Sequence, residues 1–477
     1  MDDRATQREY ILRIRPWKMS RIITLTQELL LYITGNLEKE DVINLSTTCK
    51  YLHSVLEPEI YQTISWTWHH SKKTASRPIH ALLRNLLHTP KRASWVKNVS
   101  FQEIGYGRKP LLGSKQLSDE EIRSIQRLLE NAEVADTEEW MSDVRDGSVD
   151  AVLALILMQL HNLKSLTIDL FLRHDDDLAY TTPDRSRIGQ ALRHAMSAPA
   201  SASIARLTSL EQLEWPSANF PGPMCFLRPI DIFYVLPLFG LPALKRFSVK
   251  VDQRPSGSAP QYLKPEMTPL AKHLTILRLR FSSVSFAALE GMLSSAPSLT
   301  VLDMECSRDM TSLEAGDSWA FDGQALRNAL DRCSGTLKSI RIVCAIDDPL
   351  LDVEMSEFFV SPLGSLSQLH SLSTTEMCLP LLLGTSDPTA QALRDAVPAS
   401  LESIIIREDG YGIIEVARLR DVVSALATEK SLNLPRLKHI GLYIDFGNWD
   451  EANIRYVENV YRDSGLELCV QDTAEAY

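Results

Sequence analysis

In residues 160–168, LHNLKSLTI, apolar side chains fall at the first, fourth, seventh and ninth places. The last two are two residues apart, the period at which side chains of a β-strand return to the same face. The same spacing recurs as LTSLEQLEW (207–215), LPALKRFSV (241–249), LSQLHSLST (366–374) and LPRLKHIGL (434–442). Looser copies are ASWVKNVSF (93–101), AKHLTILRL (271–279), APSLTVLDM (296–304), SGTLKSIRI (334–342) and PASLESIII (398–406). From Phe247 onward the third apolar position advances by 25 to 38 residues per copy. Between copies lie segments of helical period at 118–131, 149–160, 186–196, 285–294, 323–331 and 418–428. A short strand followed by a helix, at a period near thirty, predicts an α/β solenoid in which each coil adds one strand to a shared sheet. Leu466, Leu468 and Val470 predict a strand that closes the far end.

In such a strand the apolar positions point into the solenoid and the intervening ones line the sheet's other face. That assigns Ser165, Thr167, Asp169, Gln212, Glu214, Pro216, Arg246, Ser248, Lys250, Ile276, Arg278, Arg280, Val301, Asp303, Glu305, Ser339, Arg341, Val343, Ser371, Ser373, Thr375, Ser403, Ile405, Arg407, His439, Gly441 and Tyr443 to the outer face. Arg246, Lys250, Arg278 and Arg280 fall on two consecutive copies with no acid among them, and Arg341 extends the patch beyond Asp303 and Glu305. On a chain of net charge −11 this is a local reversal of sign. It reads either as an anion-binding substrate surface or as an ordinary solvated strand face.

Upstream of the coils, residues 25–61 read LTQELLLYITGNLEKEDVINLSTTCKYLHSVLEPEIY. Thr26 is suited to cap a first helix, with Leu25 and Leu30 spaced as a hydrophobic staple and Gly35-Asn36 ending it. Leu29, Leu30, Ile33 and Leu37 share one face. Glu38, Glu40 and Asp41 suit the start of a second helix that carries Val42, Ile43 and Leu45. Thr47 or Thr48 can cap a third, carrying Cys49, Leu52, Val55 and Leu56, and Pro58 is expected to stop it. A unit this short cannot bury a full core, so its leftover apolar surface must face the body of the chain or a partner.

This stretch resembles the F-box, through Leu25, Glu28, Leu29, Leu30, Ile33, Leu37, Asp41, Leu45, Thr48, Cys49, Lys50, Leu52, Pro58, Ile60 and Tyr61. Thr26 stands where that family usually has proline. Together with the coils, the layout is similar to the F-box/leucine-rich-repeat-like proteins common in filamentous fungi. The resemblance implies that residues 21–65 dock a Skp-type adaptor, and through it a cullin, using Leu25, Thr26, Leu29, Leu30, Ile33, Leu37, Val42, Leu45, Cys49 and Leu52. Residues 1–20 then form a flexible tail, 66–92 a linker helix region and 93–477 an irregular leucine-rich-repeat-like solenoid. The solenoid is expected to bind an unknown protein substrate, with Arg246, Lys250, Arg278, Arg280 and Arg341 on its surface.

Composition narrows the alternatives. Hydrophobic residues at 44% and charged ones at 23% are ordinary for a globular chain. The net negative charge argues against nucleic-acid or anionic-membrane binding, and one short basic stretch, residues 66–92, is a weak footprint for either. The longest apolar run, 151–158, is too short to span a membrane, and residues 1–20 carry no signal peptide. Seven scattered cysteines without a C-x-x-C pair suggest reduced thiols, mostly small core residues, in the cytosol or nucleus. The sequons at Asn44 and Asn98 then have no role.

No catalytic motif stands out. The glycine-rich stretch 105–115 breaks the phosphate-loop spacing at Ser114, and His174 with Asp175, Asp176 and Asp177 reads as a solvated loop. His69-His70 has no metal-ligating partner, and no Gly-x-Ser-x-Gly elbow occurs. The reading that results is a non-catalytic, cofactor-free substrate receptor of a Skp–cullin–F-box ubiquitin ligase. The alternatives are an F-box scaffold in a non-ligase Skp complex and, from a different class, a cryptic hydrolase or metalloenzyme.

Overall fold

The structure, a computed structural model, describes residues 22, 24–69, 77–104, 117–169, 186–197, 207–215, 230–231, 236–252, 271–282, 286–308, 321–346, 359–361, 366–378, 382–383, 389–407, 416–428, 434–444 and 449–472. The tail 1–20, the glycine-rich stretch 105–115, the 174–177 acidic tract, His70, Pro216 and Cys225 lie outside these residues.

The chain begins with three short helices, α1 (Gln27–Thr34), α2 (Lys39–Ser46) and α3 (Lys50–Gln62). Thr26 is the N-cap of α1 and Gly35 follows its last residue. Cys49, rather than Thr47 or Thr48, caps α3, its Sγ accepting the Leu52 N–H at 3.5 Å. Pro58 does not end α3 but lies inside it. The missing N–H costs one helical bond, and the turns beyond it are held from outside the helix. Arg92 donates to the Glu57 carboxylate at 2.6 and 2.8 Å and covers the Tyr61 ring at 5.3 Å, while the Gln62 carbonyl accepts from Lys97 N–H at 2.9 Å.

From Thr63 the chain enters one sheet of twelve strands, every neighbouring pair parallel and the spatial order the same as the chain order. The strands are β1 (Thr63–His69), β2 (Asn98–Ile104), β3 (Ser165–Asp169), β4 (Gln212–Trp215), β5 (Arg246–Val249) and β6 (Ile276–Ser282). They continue as β7 (Val301–Arg308), β8 (Ser339–Ile346), β9 (Thr374–Cys378), β10 (Ser403–Arg407), β11 (His439–Ile444) and β12 (Glu467–Asp472). The expected closing strand is therefore present as β12. Just before each strand from β2 to β11, a backbone N–H donates to the carbonyl of the equivalent residue one coil earlier, and at β12 the first strand residue, Glu467, donates to Lys438 instead. The row runs through Gln62, Lys97, Lys164, Glu211, Lys245, Thr275, Thr300, Lys338, Ser373, Glu402, Lys438 and Glu467, with N···O distances of 2.7–2.9 Å.

The apolar strand positions form one core with the helices between them. Five of the six expected helical segments appear as α4 (Asp119–Asn131), α5 (Val149–Leu157), α6 (Arg187–Ser197), α7 (Phe286–Ser295) and α8 (Gly323–Asp331), and the sixth as α9 (Val416–Thr428). Ser118 and Glu121 form a reciprocal capping box on α4. The apolar run at 151–158 falls in α5, which is buried all round. Its one acid, Asp150, accepts from Ser186 Oγ and from the N–H groups of Arg187 and Ile188, so it caps α6 from the neighbouring coil. At the far end Gly465, at φ +68°, takes the left-handed turn between a final helix, Glu451–Ser464, and β12. Cys333 is buried in the core, which pushes its thiol up to about 11, but Cys49 is half-buried and Cys469 exposed. Among the described residues no helix is long and apolar enough to cross a membrane, and no three His, Cys, Asp or Glu side chains are placed to hold a metal ion.

Two expectations need correction. The described parts of 66–92 do not form a linker: β1 is the first strand of the sheet, and the helix Arg77–His88 buries Ile79, Leu83 and Leu86 in the main core. A helix that sinks three aliphatic side chains into that core belongs to a coil, so the solenoid begins at Thr63 rather than at residue 93. The copy read as 366–374 is registered three residues early. Ile340 pairs with Thr375 and Thr375 with Ile404, so the coil's third inward position is Thr375, not Leu372. Ser371, Ser373 and Thr375 are accordingly not the outer row, which is formed by Thr374 and Glu376.

Thr375 is 2% exposed and, among the described residues, its Oγ1 has no hydrogen-bond partner. Replacing a buried, unpaired hydroxyl by a methyl group of the same shape removes its desolvation cost. Thr375→Val should therefore raise the urea midpoint, corresponding to about 1–2 kcal/mol; a lower midpoint would show that the hydroxyl is bonded.

Candidate binding surfaces

The N-terminal helices carry a small core of their own, Leu30, Val42, Leu52, Val55 and Leu56, distinct from the main one. Of the ten residues expected to meet an adaptor, Leu30, Val42 and Leu52 are in this core and hold the unit together. Leu25, Leu45 and Cys49 are half-buried against it. Thr26, Leu29, Ile33 and Leu37 are exposed, so the single face expected for α1 is split between an inward Leu30 and outward neighbours. Leu29 is 50% exposed, Ile33 48% and Tyr32 77%, and Ile43 on α2 and Tyr51 on α3 are also exposed. Tyr32, Ile43 and Tyr51 were not among the ten. They lie at helix positions facing away from the small core, which the spacing of Leu30, Val42 and Leu52 defines.

On the sheet face opposite the core, strand register sets equivalent side chains beside one another. Arg278 pairs with Asp303, Asp303 with Arg341, and Arg341 with Glu376. The residues expected to form a basic patch are therefore interleaved with acids from the next strands. Asp303 receives Arg280 at 3.0 Å, Arg341 at 3.0 Å and Arg278 at 3.6 Å. Glu305 receives Arg341 at 2.5 Å and also Arg280. Glu376 bridges Arg341 at 3.0 Å and Arg407 at 2.5 Å, and Arg407 lies over the Tyr443 ring at 4.5 Å. Burial alone would lower the Arg341 pKa, but Glu305, Glu376 and Asp303 together raise it above its ordinary value.

Four guanidinium groups thus meet three carboxylates in one connected ladder. Apart from Arg278 the members are largely buried, so much of their mutual attraction escapes solvent screening. Lys250 is buried beside the start of this network, whereas Arg246 at the head of β5 is exposed. Sequence reading placed Arg407 on the outer face without joining it to the patch, and missed Glu376. Aligning that coil as LHSLSTTEM (369–377) places Glu376 level with Arg341; the threonine at an apolar position hid the alignment. Beyond the ladder, Gly441 has no side chain because Ile405 Cγ1 already lies 3.0 Å from where its Cβ would be.

These features define an open parallel α/β solenoid of leucine-rich-repeat-like architecture, with a three-helix unit at its N-terminal end. No protein-family model and no curated protein matches the chain. Among solved structures it is similar to the leucine-rich repeat-containing protein LegL7 from Legionella pneumophila, at 13% identity. That likeness covers 66% of this chain and 85% of the other, with a TM-score of 0.33. The architecture rests on the sheet and its register.

Removing Glu376 takes the carboxylate from the largely buried Arg407 and one of three from Arg341. Glu376→Ala should destabilise the protein by about 2–4 kcal/mol, since losing one partner of a buried ion pair costs far more than replacing the pair. The double variant Glu376→Met with Arg407→Met should recover most of that loss in chemical denaturation. Equal destabilisation by both would mean that the ladder contributes through packing alone.

Proposed function

We propose that this chain is a substrate-receptor subunit of a Skp–cullin–F-box ubiquitin ligase, working in the cytosol or nucleus. Residues 25–61 would dock the Skp-type adaptor, and the solenoid would hold the protein to be modified. The observation that carries this reading is the group of exposed apolar side chains, Leu29, Tyr32, Ile33, Leu37, Ile43 and Tyr51, on one three-helix unit. Exposed apolar patches of this kind mark interaction sites. The resemblance of residues 25–61 to the F-box supplies the partner.

In this role the chain does no chemistry. It acts by proximity, raising the effective concentration of a target lysine near a charged conjugating enzyme. The short connection between the two parts favours such positioning, because α3 runs directly into β1 and the Arg92–Glu57 pair spans the junction. A receptor that holds adaptor and cargo at a fixed separation loses less entropy on positioning than one with a loose linker.

The reading is tested by Leu29→Ala combined with Ile33→Ala. Both side chains are half-exposed in the free chain, so the variant should keep its unfolding midpoint within about 0.5 kcal/mol. If both become buried at the adaptor, binding should weaken by about 2–5 kcal/mol. Unchanged pull-down of the adaptor would discard this surface. Recovery of the adaptor without a cullin would favour the non-ligase complex instead.

A further inference from the structure

Building on the receptor role given above to the solenoid, we propose that Arg246 and Arg278 form a two-point reader for an acidic segment of a partner protein. The segment would present two carboxylates on one side of an extended chain. Arg246 stands opposite Ile276, and Arg278 opposite Ser248, so the two arginines occupy diagonal places on neighbouring strands of the same face. With strands about 4.8 Å apart and alternate residues about 6.8 Å apart, their Cα atoms are about 8 Å from each other.

Both arginines differ from the rest of the ladder. Among the described residues no carboxylate is paired with Arg246, and its side chain is exposed. Arg278 is 44% exposed and, among the described residues, meets only Asp303, at 3.6 Å, while Asp303 is held more closely by Arg280 and Arg341. The nearest acids on the preceding coil are engaged elsewhere. Glu214 accepts from Gln212 at 2.8 Å, and Glu211 lies between Lys245 at 2.8 Å and Lys164 at 3.7 Å. The surplus positive charge of the face is therefore concentrated at these two side chains.

The spacing selects the partner. Carboxylates two residues apart on an extended peptide are separated by about 6.8 Å, close to the distance between the two arginines. Each guanidinium can then take one carboxylate through two parallel hydrogen bonds. A single phosphate gains less, because Arg280, which would complete a three-arginine cradle, is turned to Asp303 and Glu305.

The test uses the full chain, with its adaptor if needed for solubility, and fluorescein-labelled decaglutamate followed by anisotropy. Binding should be measurable at about 50 mM salt and fall about tenfold by about 300 mM, since exposed charges are screened. Arg246→Glu with Arg278→Glu should weaken it at least about tenfold, as expected for charge-assisted contacts. Arg332→Glu, on the helical side of the solenoid, should leave it unchanged. No binding of decaglutamate, equal binding by the double variant, or displacement by inorganic phosphate as readily as by unlabelled peptide would overturn the proposal. Adaptor pull-down of the same variants separates this outcome from failure of the ligase reading, because α1–α3 carry none of the substituted residues.

Discussion

One row of backbone hydrogen bonds organises the whole solenoid. At the same point of each coil from Lys97 to Lys438, and one residue later at Glu467, an N–H reaches the carbonyl of the coil before. In most coils the next residue's N–H shares that carbonyl, as Lys164 and Ser165 do at Lys97. A parallel strand cannot shift by one residue without turning its apolar side chains out of the core. The row therefore fixes the register of each coil however long its helix or loop is. This is why coils of very unequal length share an unbroken twelve-stranded sheet.

Fixed register has an electrostatic consequence. Equivalent positions on adjacent strands are close neighbours, and like charges there would repel. The face answers with alternation, from Arg278 and Arg280 through Asp303 and Glu305 to Arg341, Glu376 and Arg407. Buried ion pairs add little net stability against apolar replacements, yet a mismatched register would leave charges stranded. The ladder thus penalises wrong pairings of the central coils. It also uses up most of the arginines that an isolated strand would offer a ligand. The exposed Arg246 and the loosely held Arg278 remain at its edge.

The N-terminal unit obeys the opposite logic. Its five-residue core is too small to absorb all its apolar side chains, so leucine, isoleucine and tyrosine remain outside. It is nevertheless anchored, because α3 leads straight into β1 and Arg92 grips both Glu57 and Tyr61. Pro58 inside α3 shows how far such anchoring overrides local preference.

The sequence by itself determined the repeating strand–helix plan, ten of the strand positions to within three residues, the helices that follow them and the closing strand. Those features depend on apolar periodicity, which is local and written every few residues. The three N-terminal helices were legible for the same reason, through caps and spacing around Leu30, Val42 and Leu52. Only the tertiary structure decided that Thr63–His69 is a strand, since β1 holds its place by pairing with β2 rather than by a copy of the motif. It also moved the ninth coil from Leu372 to Thr375, because a buried threonine looks polar in sequence while the hydrogen bond from Ser373 to Lys338 sets its place. The basic patch became a ladder for the same cause. Charges distant in sequence are summed only when register brings their strands side by side, and no single coil contains that information.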